Sequence, residues 1–253
     1  MYIVVSELEQ VEQEHKVAMV VVAHADDAEF GCAGTVACWV RDGWDVYYVI
    51  CTDGGSGGPD EATEITREAR QHVVETRMRE QRAAAEILGV KDVLFLGYPD
   101  GELQPTLGLR HDIVRLLRKY RPARVICQSP ERNWEGELSI PASHPDHLAA
   151  GQAALAAIYP AAQNPWDFAE LINEEGLKPH KVSEVYIMSA PRTNYGMDIA
   201  PVIEQKWQAL LAHKSQLGEP SAEFQQFLRH WSSEVGKKYS YEHGEEFHLT
   251  KNY

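Results

Sequence analysis

Five short apolar runs, rich in β-branched and aromatic residues, punctuate the chain: Val17 to Ala23, Val46 to Thr52, Val93 to Leu96, Arg124 to Gln128 and Val182 to Met188. Each is continuous in its apolarity, which predicts a strand covered on both faces. The longer stretches between them carry helical periodicity. Glu29 to Arg41 is closed by Gly43, Glu61 to Leu88 by Gly89, and Leu109 to Tyr120 is followed by Arg121-Pro122, all of them helix-ending signals. Strand alternating with helix predicts an α/β fold, a Rossmann-like three-layer sandwich with a mostly parallel central sheet. Two further helices are expected, Ile199 to Gln216 and, after Gly218-Glu219-Pro220, Ser221 to about Val235. The tail from Gly236 to Tyr253 is polar and aromatic without a clear period, and is expected to be a lid, an oligomer arm or a frayed end.

Composition sets limits on this picture. At 253 residues and 44% hydrophobic, the chain can bury a full core, and it is read as one domain over 1–253. The formal net charge of −14 repels phosphate backbones and anionic membrane surfaces, so neither nucleic acid nor a membrane is an expected partner. An anionic substrate would need locally placed arginines. Cys32, Cys38, Cys51 and Cys127 form no CxxC pair or zinc-finger spacing and read as thiols of a reducing compartment. The opening MYIVVSELEQVEQEHK lacks a basic leader and a small-residue cleavage site, and no later run approaches membrane-spanning length. A soluble cytoplasmic protein is the expectation, with homo-oligomerisation left open.

In a parallel α/β sheet the ligand crevice lies beyond the carboxyl ends of the strands. The residues after Val22, Cys51, Leu96 and Gln128 therefore carry the chemical interest. The run AHADDAEF places His24, Asp26 and Asp27 directly after the first strand. An Asp helix cap followed by a second acid is the plain account of that pair. If instead Asp27 faces a metal beside His24, Asp26 must point elsewhere, which separates a ligand from a base. The second run, SHPDHLAAGQAALAAI, follows the fourth strand and puts Pro145 at a first helical position, with Asp146 favoured by the helix dipole. A capped helix explains those two residues but gives His144 and His147 no role.

Together the two runs supply what a catalytic zinc takes, three protein ligands and an open position for water. His24, Asp27 and His147 meet that requirement, with another divalent ion such as Fe2+ also compatible. Asp26 is then placed to accept a proton, and His144 to hydrogen-bond an oxyanion or protonate a leaving amine. Thr52-Asp53-Gly54-Gly55-Ser56-Gly57-Gly58 lacks both the P-loop Lys-Ser/Thr and the GxGxxG spacing, and reads as a loop at the rim of the site.

With these residues in view, the chain resembles the LmbE-like, or PIG-L, zinc-dependent de-N-acetylases. AHADD stands where that family has AHPDD, and HPDH matches its HPDH segment. Arg77-Met78-Arg79-Glu80 followed by RAAAEILGV is similar to the family's RxxE helix ending in Leu-Gly, and Tyr98-Pro99-Asp100-Gly101 to its Asp-Gly turn. Lys206 to Leu210 with His213-Lys214-Ser215-Gln216 is similar to its late helix, so the resemblance runs from about Val17 to Gln216. It implies zinc ligands His24, Asp27 and His147, general base Asp26, His144 stabilising the tetrahedral intermediate, Asp146 orienting His144, and Arg77 and Asp100 touching the substrate. The implied activity is removal of the N-acyl group from an N-acetylglucosamine-type amino sugar, a small-molecule substrate. Ala25 departs from the family's proline, a change worth only about 0.4–1 kcal/mol of unfolded-state entropy. Two alternatives stand: an amidase on a larger conjugate, and, in another class, a nucleotide-binding Rossmann-like protein. The loops Gly54 to Asp60 and Glu131 to Ala142 are expected to shape the pocket.

Overall fold

In the computed structural model, residues 16–252 are described, apart from 136, 219 and 220; the N-terminal segment and the Glu219-Pro220 turn read from sequence lie outside the described residues. Chain order is β1 (Val17–Val22), α1 (Asp27–Gly31), α2 (Ala33–Arg41), β2 (Asp45–Thr52), α3 (Arg67–Leu88), β3 (Asp92–Tyr98), α4 (Leu107–Tyr120), β4 (Arg124–Gln128), α5 (Ile140–Ser143), α6 (Pro145–Ala156), α7 (Ala169–Asn173), β5 (Glu184–Met188), β6 (Tyr195–Asp198), α8 (Ile203–Leu210), α9 (Lys214–Leu217), α10 (Ala222–Lys238) and β7 (Gly244–Lys251). The strands form one sheet in the order β3-β2-β1-β4-β5-β7-β6. The first five are parallel; β7 runs antiparallel to both β5 and β6.

Every residue of β1 is buried, as its unbroken apolarity requires. Successive side chains serve opposite faces. Ala18, Val20 and Val22 pack into the core under α2, α3 and α8, while Met19, Val21 and Ala23 pack into the core under α4 and α6. The strand order reverses at β1, between β2 and β4, which opens a crevice beyond the carboxyl ends of β1 and β4. Gly151 brings α6 against that crevice: a Cβ there would lie 2.3 Å from the Gln128 carbonyl oxygen, so only glycine permits the approach.

The predicted helices hold with shifted bounds. Thr66 accepts a hydrogen bond from the Ala69 N–H and so starts α3 at Arg67, later than the periodicity suggested. The Glu29–Arg41 helix is interrupted at Cys32, whose φ of −150° is not helical. The stretch 199–216 divides into a 3-10 turn over Ala200–Val202, then α8 and α9.

The tail is neither lid, arm nor frayed end. Residues 244–251 form β7, inserted between β5 and β6, with Phe247 fully buried. Its alternation is obscured because Glu245 is buried too. That carboxylate accepts from the Gly34 and Thr35 N–H groups at 2.9 and 2.7 Å, from the Thr35 hydroxyl at 2.6 Å and from Lys206 Nζ at 2.6 Å. Tyr195–Asp198, unremarkable in sequence, forms β6 beside it. All four cysteines are free thiols, and among the described residues no helix is long and apolar enough to cross a membrane.

Candidate metal centre

The turn after β1 is held open in a conformation most residues avoid. Asp26 has φ 83°, in the left-handed region that Asp tolerates better than β-branched residues do. Its N–H donates to Gln81 Oε1 at 2.9 Å, and Arg77 Nη2 donates to the Ala25 carbonyl at 2.8 Å. These long-range bonds supply the restraint that a proline at position 25 would give locally. The left-handed step sends the two adjacent carboxylates apart: Asp26 Oδ2 lies 3.4 Å from Arg77, while Asp27 Oδ1 lies 3.0 Å from His147 Nε2.

On the other side, His144 caps α6, its Nδ1 accepting the Asp146 N–H at 3.2 Å, with Pro145 as the first helical residue. His147, one turn in, is buried. Its Nε2 lies 3.2 Å from His24 Nδ1, and His24 Nδ1 lies 3.5 Å from Asp27 Oδ2. The two ring nitrogens thus stand 3.2 Å apart, each within 3.0–3.5 Å of one oxygen of the Asp27 carboxylate. Bonds of ~2.0–2.1 Å to one tetrahedral zinc put ligand atoms about 3.3 Å apart, so the set fits the ion. His144 also has a ring nitrogen within 4.8 Å of those of His24 and His147.

The second nitrogen of His24 is held by carboxylates, as metal-bound imidazoles commonly are. Nε2 lies 3.1 Å from Asp100 Oδ1 and 3.2 Å from Asp146 Oδ2. Asp146 also accepts from the Gly101 and Leu103 N–H groups at 2.7 and 3.2 Å, and Asp100 from the Ser56 N–H at 2.9 Å. Gln128, the last residue of β4, donates to Asp27 Oδ2 at 3.0 Å and accepts the Ala23 N–H.

The charges ask for a cation. Burial acts to lower the His24 pKa, but hydrogen bonds to Asp100, Asp146 and Asp27 overcome it and raise the value to about 11. Burial raises Asp27, yet the charges and hydrogen bonds of His147 and His24 hold it well below the usual carboxylate range. Asp100, pushed up by burial, is brought down to about 2, chiefly by His24. Asp26 moves the other way, to about 6, because burial outweighs Arg77 and the Asp27 charge adds to it. His144 is lowered by burial and by His24 and His147, which favours neutral imidazole. Nitrogen and carboxylate donors in this number suit zinc or a similar divalent ion.

The remaining predicted residues also gather around the centre. Arg77 and Asp100, expected against substrate, are each 6% exposed, as buried as His24 at 7%. Arg77 braces the turn, donating to Ala25, Gly54 and Asp26, and among the described residues its Nε has no partner. Asp146 reaches His144 through its main-chain N–H, and its carboxylate faces His24. Behind Asp26, Gln81 joins Glu29, which His213 meets at 3.2 Å; all three are fully buried. A glutamine ending an otherwise apolar strand was the one sequence signal for Gln128.

A cavity of about 470 Å³ opens on the centre, lined at one end by Asp26, Asp27, His147 and Gln128. Other walls come from Ile140 and Pro141, as expected of the 131–142 loop, and from α9 and α10, which sequence did not implicate; residues 54–60 are not among its lining. A larger cavity, about 690 Å³, lies across the 129–135 loop beside Arg192 and His248 and contains none of the predicted site residues.

Comparison with known proteins identifies the family. Residues 19–158 match the family model PIG-L, GlcNAc-PI de-N-acetylase. The chain is 32% identical over 231 residues to a diacetylchitobiose deacetylase of Thermococcus kodakarensis, covering 91% of this chain and 81% of that protein. It is 28% identical to a probable N-acetyl-alpha-D-glucosaminyl L-malate deacetylase 2 of Bacillus cereus, covering 78% and 82%. The solved N,N'-diacetylchitobiose deacetylase of Pyrococcus horikoshii superposes with a TM-score of 0.82 at 29% identity, over 97% of this chain and 87% of that one.

Proposed function

The chain belongs to the PIG-L, GlcNAc-PI de-N-acetylase, family, and from that premise we propose that it hydrolyses the N-acetyl group of a small N-acetylglucosamine-type substrate, with zinc held by His24, Asp27 and His147. The observation that supports this reading most is the convergence of those three side chains at the sheet's switch point, with a carboxylate beside them that is not one of the three. Bound there, the ion supplies Lewis acidity, polarising the amide carbonyl and making water nucleophilic at neutral pH.

The chain's own residues account for the remaining steps. Asp26, held in place by Gln81 and Arg77, accepts the proton that water loses as it adds to the carbonyl carbon. His144 stands beside the rings of His24 and His147, its Nδ1 occupied by the Asp146 N–H, so its Nε2 is the atom left to hydrogen-bond the developing oxyanion. The C–N bond then breaks, the amine takes the proton, and acetate and the free amino sugar leave. Asp100 and Asp146 fix the His24 ring.

A dinucleotide would set its phosphates in this same crevice, where Asp27, Asp100 and Asp146 repel them, so the nucleotide-binding alternative loses its site. Four free thiols support a reducing compartment, the cytoplasm. Element analysis of the purified protein, coupled to a free-amine assay on a panel of N-acetylglucosamine derivatives, tests the reading. One divalent ion per chain is expected, with amine release abolished by chelation and restored by zinc. Absence of amine release from every derivative would overturn it.

A further inference from the structure

The metal centre occupies only one end of the cavity that opens on it. Beyond Asp26, Asp27, His147 and Gln128, the walls are Phe30, Ile140, Met188, Leu217 and the face of α10, and the further hydrogen-bonding groups there are the Ser189 hydroxyl, the Gln216 amide and the Trp231 indole N–H. Along α10, Phe224, Phe227, Leu228 and Trp231 recur at helical spacing. Leu228 turns into the core beside Trp207 and Leu210, whereas Phe227 and Trp231 remain 62% and 44% exposed at the cavity mouth. Across from them Ile140 is 71% exposed. All of α10 lies beyond residues 19–158, the part of the chain that matches the family model.

Such a wall discriminates. Sugar hydroxyls placed against it would find few partners, and an unpaired buried polar group is disfavoured. An apolar group would shed water against two aromatic rings. Resting on the de-N-acylase reading, we propose that this cavity receives an apolar substituent of the amino sugar, seated against Phe227 and Trp231, and that the enzyme selects N-acylated amino sugars carrying one. The group can be attached through the anomeric oxygen or as a longer acyl chain; both sit next to the reacting amide.

The test compares kcat/KM of the zinc-loaded enzyme for N-acetylglucosamine, its phenyl β-glycoside, N-hexanoylglucosamine and diacetylchitobiose. The phenyl or the hexanoyl compound should exceed N-acetylglucosamine by about tenfold or more, the discrimination that one or two buried carbons supply in an apolar pocket. Whichever wins locates the group on the aglycone or the acyl side. In Phe227→Ser and Trp231→Ser that ratio should fall toward one, and Phe227→Leu should retain it. The proposal is overturned if neither compound is preferred, if diacetylchitobiose surpasses both, or if the ratio survives both serine variants. A changed oligomeric mass in the variants with the ratio intact would assign the face to contact between copies, and equally overturn it. Hydrolysis of all four without preference removes this inference alone; hydrolysis of none removes the proposed function and this inference with it.

Discussion

Two buried clusters of charge flank α1 in sequence, each built around carboxylates and differing in what partners them. Around Glu245 every valence is met inside the protein: two backbone N–H groups, one hydroxyl and the Lys206 ammonium surround one carboxylate, and Lys206 spends a further bond on the Phe30 carbonyl. Around His24 the balance is short of cations: Asp27, Asp100 and Asp146 crowd two imidazoles, Arg77 Nη1 reaches Asp100 only at 3.9 Å, and among the described residues no lysine or arginine contacts Asp146 or Asp27. The first cluster fastens β7 to the start of α2. The second calls for an ion. The burial of charge therefore says little about function; the surplus of converging lone pairs over protons says a good deal.

The contrast can be broken first at a ligand. His147→Ala should leave two donors, too few to hold zinc tightly, so metal content should fall to near zero and amine release to background. Full metal content in that variant would exclude His147 from the donor set. At the saturated cluster the response should be of another kind. Lys206→Ala strands a buried carboxylate and should lower the unfolding free energy by about 3–5 kcal/mol in denaturant titration, while folded molecules keep one metal each. Loss of metal alongside stability would show that the two clusters are not independent.

A smaller effect probes the carboxylates behind His24. Asp100→Asn and Asp146→Asn should each weaken metal affinity by about 10- to 100-fold without emptying the site, measured by competition with a chelator. An Asp100→Asn variant with unaltered metal affinity and a raised KM would assign Asp100 to substrate contact instead. The mildest perturbation is pH. Asp26 works as a base only when ionised, so the rate falls as pH drops through its pKa. Burial sets that value near 6 and a bound cation lowers it, so the acid limb should lie at or below about pH 6. An acid limb above pH 7 that persists in Asp26→Asn would assign it to another group.

Legibility in the sequence follows the same division. The region from β1 to α6 could be read because its signals are local: unbroken apolar strands, a His-Asp-Asp run where a strand ends, and Pro145 opening a helix between two histidines. The C-terminal third could be read only in part: β5 and the helices were legible, β6 and β7 were not. β7 contains Glu-Glu at its start and shows its alternation only once Glu245 is known to be neutralised by Lys206, 39 positions away. Phe227 and Trp231 look like ordinary apolar positions of an amphipathic helix until packing turns them to the cavity. Arg77 and Asp100 were found by their motifs, but their contacts to the Ala25 carbonyl and to His24 were not, because those partners lie 52 and 76 positions away in sequence. Gly57 shows how tight the Arg77 brace is: a Cβ there would stand 2.3 Å from Arg77 Nη1.

The central claim is that adjacent, chemically identical carboxylates at 26 and 27 have different tasks, one as base and one as ligand. Zinc content and amide hydrolysis measured side by side on Asp26→Ala and Asp27→Ala test it most directly. Asp26→Ala should retain its metal and lose on the order of 10²- to 10⁴-fold in rate, whereas Asp27→Ala should lose the metal itself. Equal metal loss in the two variants, or near-normal turnover in Asp26→Ala, would contradict the account.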